Sequence, residues 1–259
     1  MITSQDSRKK TDTKISNILI SKPKPENEKS PYYQLKDRHK INIDFRPFIH
    51  VEGISAKDFR KSKIYIDEHS AVIFTSLNAV VNFFRICTEM RINMPQETKY
   101  FCMTEAIALY LQKYIEYRKR KVFFGNGKLE NLTDLLKKHK ELRFLFPCSD
   151  IHKKDIPAFL ESNKFNFSEA VIYKTVCSDL SDMNLDKYDM VVFFSPSGIR
   201  SLFQNFPDFE QNNTRIAAFG SATAKAVIDA GLRLDIKAPV QQAPSMTMAL
   251  EKFLQASKR

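Results

Sequence analysis

The feature that most restricts how this chain folds is an alternation of short apolar runs with amphipathic segments. Ten runs have strand length, at 18–21, 41–45, 71–75, 100–103, 121–124, 143–146, 170–173, 190–194, 215–219 and 233–236. Between them a helical period recurs near 28–38, 77–90, 104–117, 129–139, 153–163, 197–205, 221–230 and 245–256. Almost wholly apolar strands separated by helices are the pattern of parallel sheets covered on both faces, so the spacing predicts an α/β fold.

An internal echo divides that pattern in two. VIFTSLNAVVNFF (72–84) lies over VVFFSPSGIRSLF (191–203) without a gap, and KYFCMTEAIALYL (99–111) resembles RIAAFGSATAKAVI (215–228). ILISKPKPENE (18–28) and RFLFPCSDIHKKD (143–155) both run from a strand into a polar turn. The expectation is two similar βα domains facing one another across a cleft.

In parallel sheets, ligands bind beyond the carboxyl ends of the strands, where unpaired N–H groups at the following helix starts favour anions. Four turns are built for this. They are Thr75-Ser76-Leu77-Asn78, Ser195-Pro196-Ser197-Gly198, Gly220-Ser221-Ala222-Thr223 and Pro147-Cys148-Ser149-Asp150. Helix capping alone explains any one of them. Four together, in a chain of net charge +11, point toward an anion-binding site.

That charge also suits nucleic acid or an anionic surface, and Arg118-Lys119-Arg120-Lys121 is the densest basic run. No zinc-finger or RNA-binding aromatic signature accompanies it. No apolar run approaches the roughly 18 residues of a membrane span, and the polar opening, 1–14, has no signal-peptide core and reads as a disordered tail. Cys87, Cys102, Cys148 and Cys177 lack CxxC spacing, which favours reduced, buried thiols in a cytoplasmic protein over a disulfide framework or zinc site. P-loop, GxGxxG-turn and GxSxG signatures are absent, and the five histidines form no ligand-spaced pair. His50 and His69 read as surface or linker residues. Neither metal nor cofactor is implied.

The quoted stretches resemble the uroporphyrinogen-III synthase family. The carrying motifs are VIFTSLNAV (72–80), FLFPCSDIHKKDIPAFLESNKFNFSEAVIYKTV (144–176), VVFFSPSGIRSLF (191–203), RIAAFGSATAKAVIDAGL (215–232) and APSMTMALEKFL (243–254). The likeness runs from about residue 15 onward. It implies two similar α/β domains, each a parallel sheet flanked by helices, joined by a two-stranded linker, with the second inserted into the first. The first would combine 15–47 with 176–259, the second would span 52–171, and the linker strands would lie at 47–51 and 171–175.

The resemblance also implies site residues. Tyr173 falls on a tyrosine that faces the family's cleft; an acid role and a plain tether for the linker strand both remain open. Thr75 and Ser76, with Asn78 beside them, match the hydroxyl turn of the second domain. Ser195, Ser197 and Gly198 match the SPSG turn, Arg215 a basic position, and Ser221 and Thr223 the family's GPTTA turn. There Ala222 replaces the first hydroxyl, and Ser221 stands where proline is usual. A further departure is Met103-Thr104-Glu105-Ala106 in place of a GxAT turn, which puts anion binding there in question. Lys22 is either a carboxylate contact or a solvated lysine.

The activity implied is a lyase reaction on hydroxymethylbilane, a linear tetrapyrrole with eight carboxylates, closing it with loss of water and inversion of the terminal ring. It implies a monomer with no nucleic-acid or membrane partner. The rival readings are a non-catalytic two-lobed anion-binding protein, a nucleic-acid-binding protein and an inactive paralogue.

Overall fold

The structure is a computed structural model and describes residues 14–256. Of the tail expected over 1–14, only Lys14 lies within the described residues. In chain order the strands are β1 (Asn17–Ile20), β2 (Asn42–Phe45), β3 (Ile49–Gly53), β4 (Ala71–Phe74), β5 (Lys99–Cys102), β6 (Val122–Phe124), β7 (Arg143–Ser149), β8 (Asn166–Cys177), β9 (Met190–Phe193), β10 (Arg215–Phe219) and β11 (Ile236–Ala238). The helices are α1 (Pro31–His39), α2 (Ala56–Arg60), α3 (Leu77–Met90), α4 (Glu105–Tyr110), α5 (Leu129–Lys137), α6 (Asp155–Ser162), α7 (Pro196–Asn205), α8 (Ser221–Asp229) and α9 (Met246–Ala256).

Two compact units result. One joins the described residues up to His50 with those from Cys177 onward, and the other is Val51–Val176. The chain passes between them within β3 and β8, which neighbour each other at a sheet edge.

The first unit carries a five-stranded sheet of order β11-β10-β9-β1-β2. Every pair in it is parallel. The second carries β3-β8-β7-β4-β5-β6, of which the last five strands pair in parallel. Laying β9 on β4, β10 on β5, β11 on β6, β1 on β7 and β2 on β8 superposes the two orders. The echo in the sequence is therefore a permuted repeat, with the last two strands of one unit coming first in the chain. Each order is that of a doubly wound sheet whose direction of growth reverses once, between β1 and β9 in one unit and between β7 and β4 in the other.

Side-chain alternation assigns the faces. Ile18 and Ile20 pack in one apolar cluster and Leu19 in the cluster across the sheet. In the second unit Val72 and Phe74 face one cluster while Ala71 and Ile73 face the other. The strands β4 and β9 are buried throughout because helices cover both faces, each large side chain contributing about 1.5–3 kcal/mol.

Several elements differ from their sequence reading. The helix expected over 104–117 ends at Tyr110 and tightens into a 3₁₀ turn, Leu111–Lys113, which carries the Tyr114 ring onto Phe84 at 4.5 Å. β11 starts later than expected because Asp235 turns back to accept from the Ile216 backbone N–H at 2.8 Å. His69 is not a surface residue. It is 1% exposed, with Nδ1 2.8 Å from the Tyr65 carbonyl and Nε2 2.9 Å from Ser168 Oγ.

Candidate active site

In the second unit the site is built at the reversal between β4 and β7. After β4 the chain reaches Ser76 in extended backbone, and the serine oxygen accepts from the Ala79 N–H at 3.1 Å, starting α3. That leaves the serine its hydroxyl proton and one further lone pair. Ser76 Oγ lies 3.2 Å from the Tyr173 hydroxyl, and either oxygen can donate in this pair; when Ser76 donates, the phenol proton is available to a ligand. Burial is the main influence on Tyr173 and pushes its phenol above the ordinary tyrosine range, while the Ser76 hydrogen bond acts the other way. Tyr173 therefore stays a neutral donor at physiological pH.

A register shift in β7 between Cys148 and Ser149 brings Ser149 opposite Tyr173. Just beyond, the Asp150 carboxylate accepts from the Ser149 hydroxyl at 2.8 Å, the Ile151 N–H at 2.9 Å and the Thr175 N–H at 3.1 Å. The Asp150 N–H donates in turn to the Tyr173 carbonyl at 3.1 Å. This carboxylate clamps the strand that bears Tyr173, and its charge also raises the phenol. Thr75 is half-buried and Asn78 exposed beside it. The Asn78 carbonyl accepts from the Asn82 amide at 3.0 Å.

In the first unit the matching reversal lies between β1 and β9. Ser195 caps α7, accepting from the Gly198 N–H at 3.3 Å. A Cβ on Gly198 would fall 3.2 Å from Phe193 Cδ1, 3.8 Å from Ser195 Oγ and 3.9 Å from Ser21 Oγ. Glycine thus lets the first turn of α7 lie close against the ends of both strands. Lys22 Nζ stands 3.7 Å over the Phe194 ring, a cation fixed at this reversal. Partial burial lowers its pKa. Ser197 is half-buried, 3.4 Å from Arg200 Nη2.

Gly220 begins α8 at φ +89°, ψ 148°, a conformation that favours glycine, and α8 has no side-chain cap. Nothing lies within 4 Å of the Cβ position there, so the space beside the Gly220 backbone is open.

The structure does not bring together every residue singled out above. Arg215 opens β10 and so stands at the amino end of the strand, opposite the Ser195 and Ser221 turns, with Nη1 3.3 Å from Asp235 Oδ1. Thr223 is 2% exposed, on the buried face of α8, whereas Ser221 is the exposed hydroxyl of that turn. The turn Pro147-Cys148-Ser149-Asp150 opens no helix, because β7 runs to Ser149 and α6 starts only at Asp155. After β5 it is Thr104 that caps, 3.4 Å from the Ile107 N–H, while Glu105 is exposed in the first turn, where its charge opposes an anion. A cavity of about 550 Å³ lined by Phe84, Thr98, Tyr100, Tyr114 and Lys121 lies toward the amino end of β5, away from the site.

Two permuted, doubly wound units with hydroxyl-bearing turns at their reversals define the class of fold. The family model described as uroporphyrinogen-III synthase HemD matches residues 32–248. The chain belongs to the uroporphyrinogen-III synthase family, cyclising lyases of tetrapyrrole biosynthesis. Among solved structures it is similar to uroporphyrinogen-III synthetase from Helicobacter pylori, with 17% identity, a TM-score of 0.58 and coverage of 93% of this chain and 100% of that one. It is also similar to a mutant uroporphyrinogen III synthase from the extremely thermophilic bacterium Thermus thermophilus, with 13% identity, a TM-score of 0.54 and coverage of 93% and 99%. At such identities the likeness carries the fold alone. No curated protein matches the chain.

Proposed function

We propose that this protein acts on hydroxymethylbilane, with Tyr173 placed to assist departure of its terminal hydroxyl. The observation that carries this reading is the Ser76–Tyr173 pair at the strand-order reversal of a chain in this family. The Tyr173 phenol, kept protonated by burial, donates a hydrogen bond to the departing hydroxyl, and Ser76 holds the phenol oxygen in place. Protonated, the hydroxyl leaves as water and a cationic azafulvene remains. The far pyrrole attacks through its substituted carbon, a spiro intermediate forms, and the ring re-closes inverted. The proton taken up returns to solvent as aromaticity is restored, so the net change is loss of one water.

Such a reaction is mainly a problem of positioning. Each unit offers its own contacts for carboxylates. In one these are Thr75, Ser76 and Asn78. In the other they are Ser195, Ser197, Ser221, Lys22 and the helix starts at Gly198 and Gly220. A carboxylate at a helix start is stabilised by about 0.3–1 kcal/mol when exposed and up to ~2 kcal/mol when partly buried. No cofactor takes part in this scheme. Among the described residues no helix is long and apolar enough to cross a membrane. The reading includes a monomer working in the cytoplasm. Incubation with freshly generated hydroxymethylbilane tests it. The inverted type III product supports the proposal, and only the spontaneous type I product refutes it.

A further inference from the structure

We propose that Cys148, His152 and Glu169 bind a divalent cation of the zinc class, a site separate from the Tyr173 turn. Cys148 Sγ, a ring nitrogen of His152 and a Glu169 carboxylate oxygen all lie within 4.8 Å of one another, and His152 Nε2 is 3.3 Å from Glu169 Oε2. They converge because Cys148 and Glu169 project from the same face of the paired strands β7 and β8, and the loop after β7 folds His152 back over them.

The local chemistry is that of a ligand set. His152 Nδ1 lies 2.7 Å from the Ser149 carbonyl, so that nitrogen carries the proton and donates it. In the neutral ring Nε2 then presents a lone pair, the arrangement that orients histidines on metals. That Nε2 is buried and makes no hydrogen bond; Glu169 Oε2 is 3.3 Å away but poorly aligned. Two electron-pair donors turned toward one another are stabilised by a positive occupant, either a metal ion or a proton. Lys154 Nζ holds the other carboxylate oxygen, Oε1, at 2.7 Å, which leaves Oε2 free to ligate. Cys148 Sγ donates weakly to the Ala170 carbonyl at 3.6 Å and stays on the same face.

One sulfur, one imidazole nitrogen and one carboxylate oxygen suit zinc in a tetrahedral site whose fourth position is water. On binding, the thiol releases its proton to solvent, and thiolate plus carboxylate balance the charge of the ion. Bonds of about 2.0–2.3 Å need ligand atoms about 3.3–3.8 Å apart, a contraction of ~1 Å that side-chain rotation supplies. Occupancy would pin the loop between β7 and α6.

Cobalt(II) titration of the full chain, followed by zinc displacement, tests the site. The expected result is one equivalent bound, with a near-ultraviolet thiolate-to-cobalt charge-transfer band that zinc abolishes. Cys148→Ala should remove the band. His152→Asn and Glu169→Gln should each weaken cobalt binding about tenfold or more, since loss even of groups behind a ligand costs about 10–100-fold. Lys153→Ala, which removes an exposed cation of the same loop, should leave the band in place. A wild-type protein with no band at saturating cobalt would overturn the proposal, leaving a proton between His152 and Glu169. A band that survives Cys148→Ala would overturn it too, by placing the metal on another thiol such as Cys177.

Discussion

Ser76 Oγ and the Tyr173 hydroxyl stand 3.2 Å apart although 97 positions separate them in the chain. The serine serves two purposes, capping α3 and holding the phenol, and the two purposes can be separated by mutation. Tyr173→Phe leaves the cap intact and removes only the hydroxyl. Turnover should fall about 100-fold or more, the lower end of what a positioned acid supplies, while stability changes by only about 1 kcal/mol. Ser76→Ala should cost about 0.5–2 kcal/mol through the lost cap and also slow turnover. Steady-state rates beside urea midpoints check both. Equal turnover in Tyr173→Phe and wild type would make the tyrosine a tether.

Lys22 is held over Phe194 at 3.7 Å, a fixed cation rather than a swinging one. Lys22→Met keeps the aliphatic length and removes the charge. KM for the polycarboxylate substrate should rise by about tenfold with kcat little changed, and the difference from wild type should shrink as salt is added. An unaltered KM at low ionic strength would return Lys22 to the solvated surface.

Gly220 takes φ +89° at the uncapped start of α8. Gly220→Ala has room for its methyl group, since nothing lies within 4 Å, so the effect must come from the backbone. A cost of about 1–3 kcal/mol is expected, read from the urea midpoint. A neutral result would mean that the turn relaxes into an ordinary conformation.

His69 gives the fold an acid limit. Burial is the largest influence and holds its pKa below the ordinary value of 6.5, and Arg143 acts in the same direction, against opposing contributions from Glu68 and the Tyr65 carbonyl. The unfolded chain therefore binds the extra proton more readily. The stability His69 contributes is full above pH 6.5 and declines as pH falls below it. Urea midpoints measured from pH 8 down to pH 5 should decline more steeply for wild type than for His69→Gln. Parallel curves would show that His69 is not the group responsible.

The fold was legible in the sequence because its central strands are buried on both faces and therefore carry uninterrupted apolar runs, as in AVIF of β4 and MVVF of β9. The helix α3 begins and ends where its spacing predicts, since Ser76 caps it and its period is strong. Less visible were α2, with Phe59 alone buried, and the amino half of β8, whose Asn166-Phe167-Ser168-Glu169 mixes polar and apolar residues. The Ser76–Tyr173 and Cys148–Glu169 contacts were hidden for a different reason. Each depends on which strands become neighbours, and strand order lies outside local periodicity. Arg215 shows the opposite case, for a residue that opens a strand cannot share an end with turns that follow strands. Lys22 and Asp150 were visible only as polar turn residues, and the Phe194 ring and the Thr175 N–H that help to fix them come from elsewhere in the chain.

The measurement that bears most directly on the account is the isomer composition of product formed from freshly generated hydroxymethylbilane, with wild type and Tyr173→Phe run side by side. Type III is expected from wild type and mainly spontaneous type I closure from the variant. Type I alone from a folded wild-type protein, or equal type III from both, would contradict it.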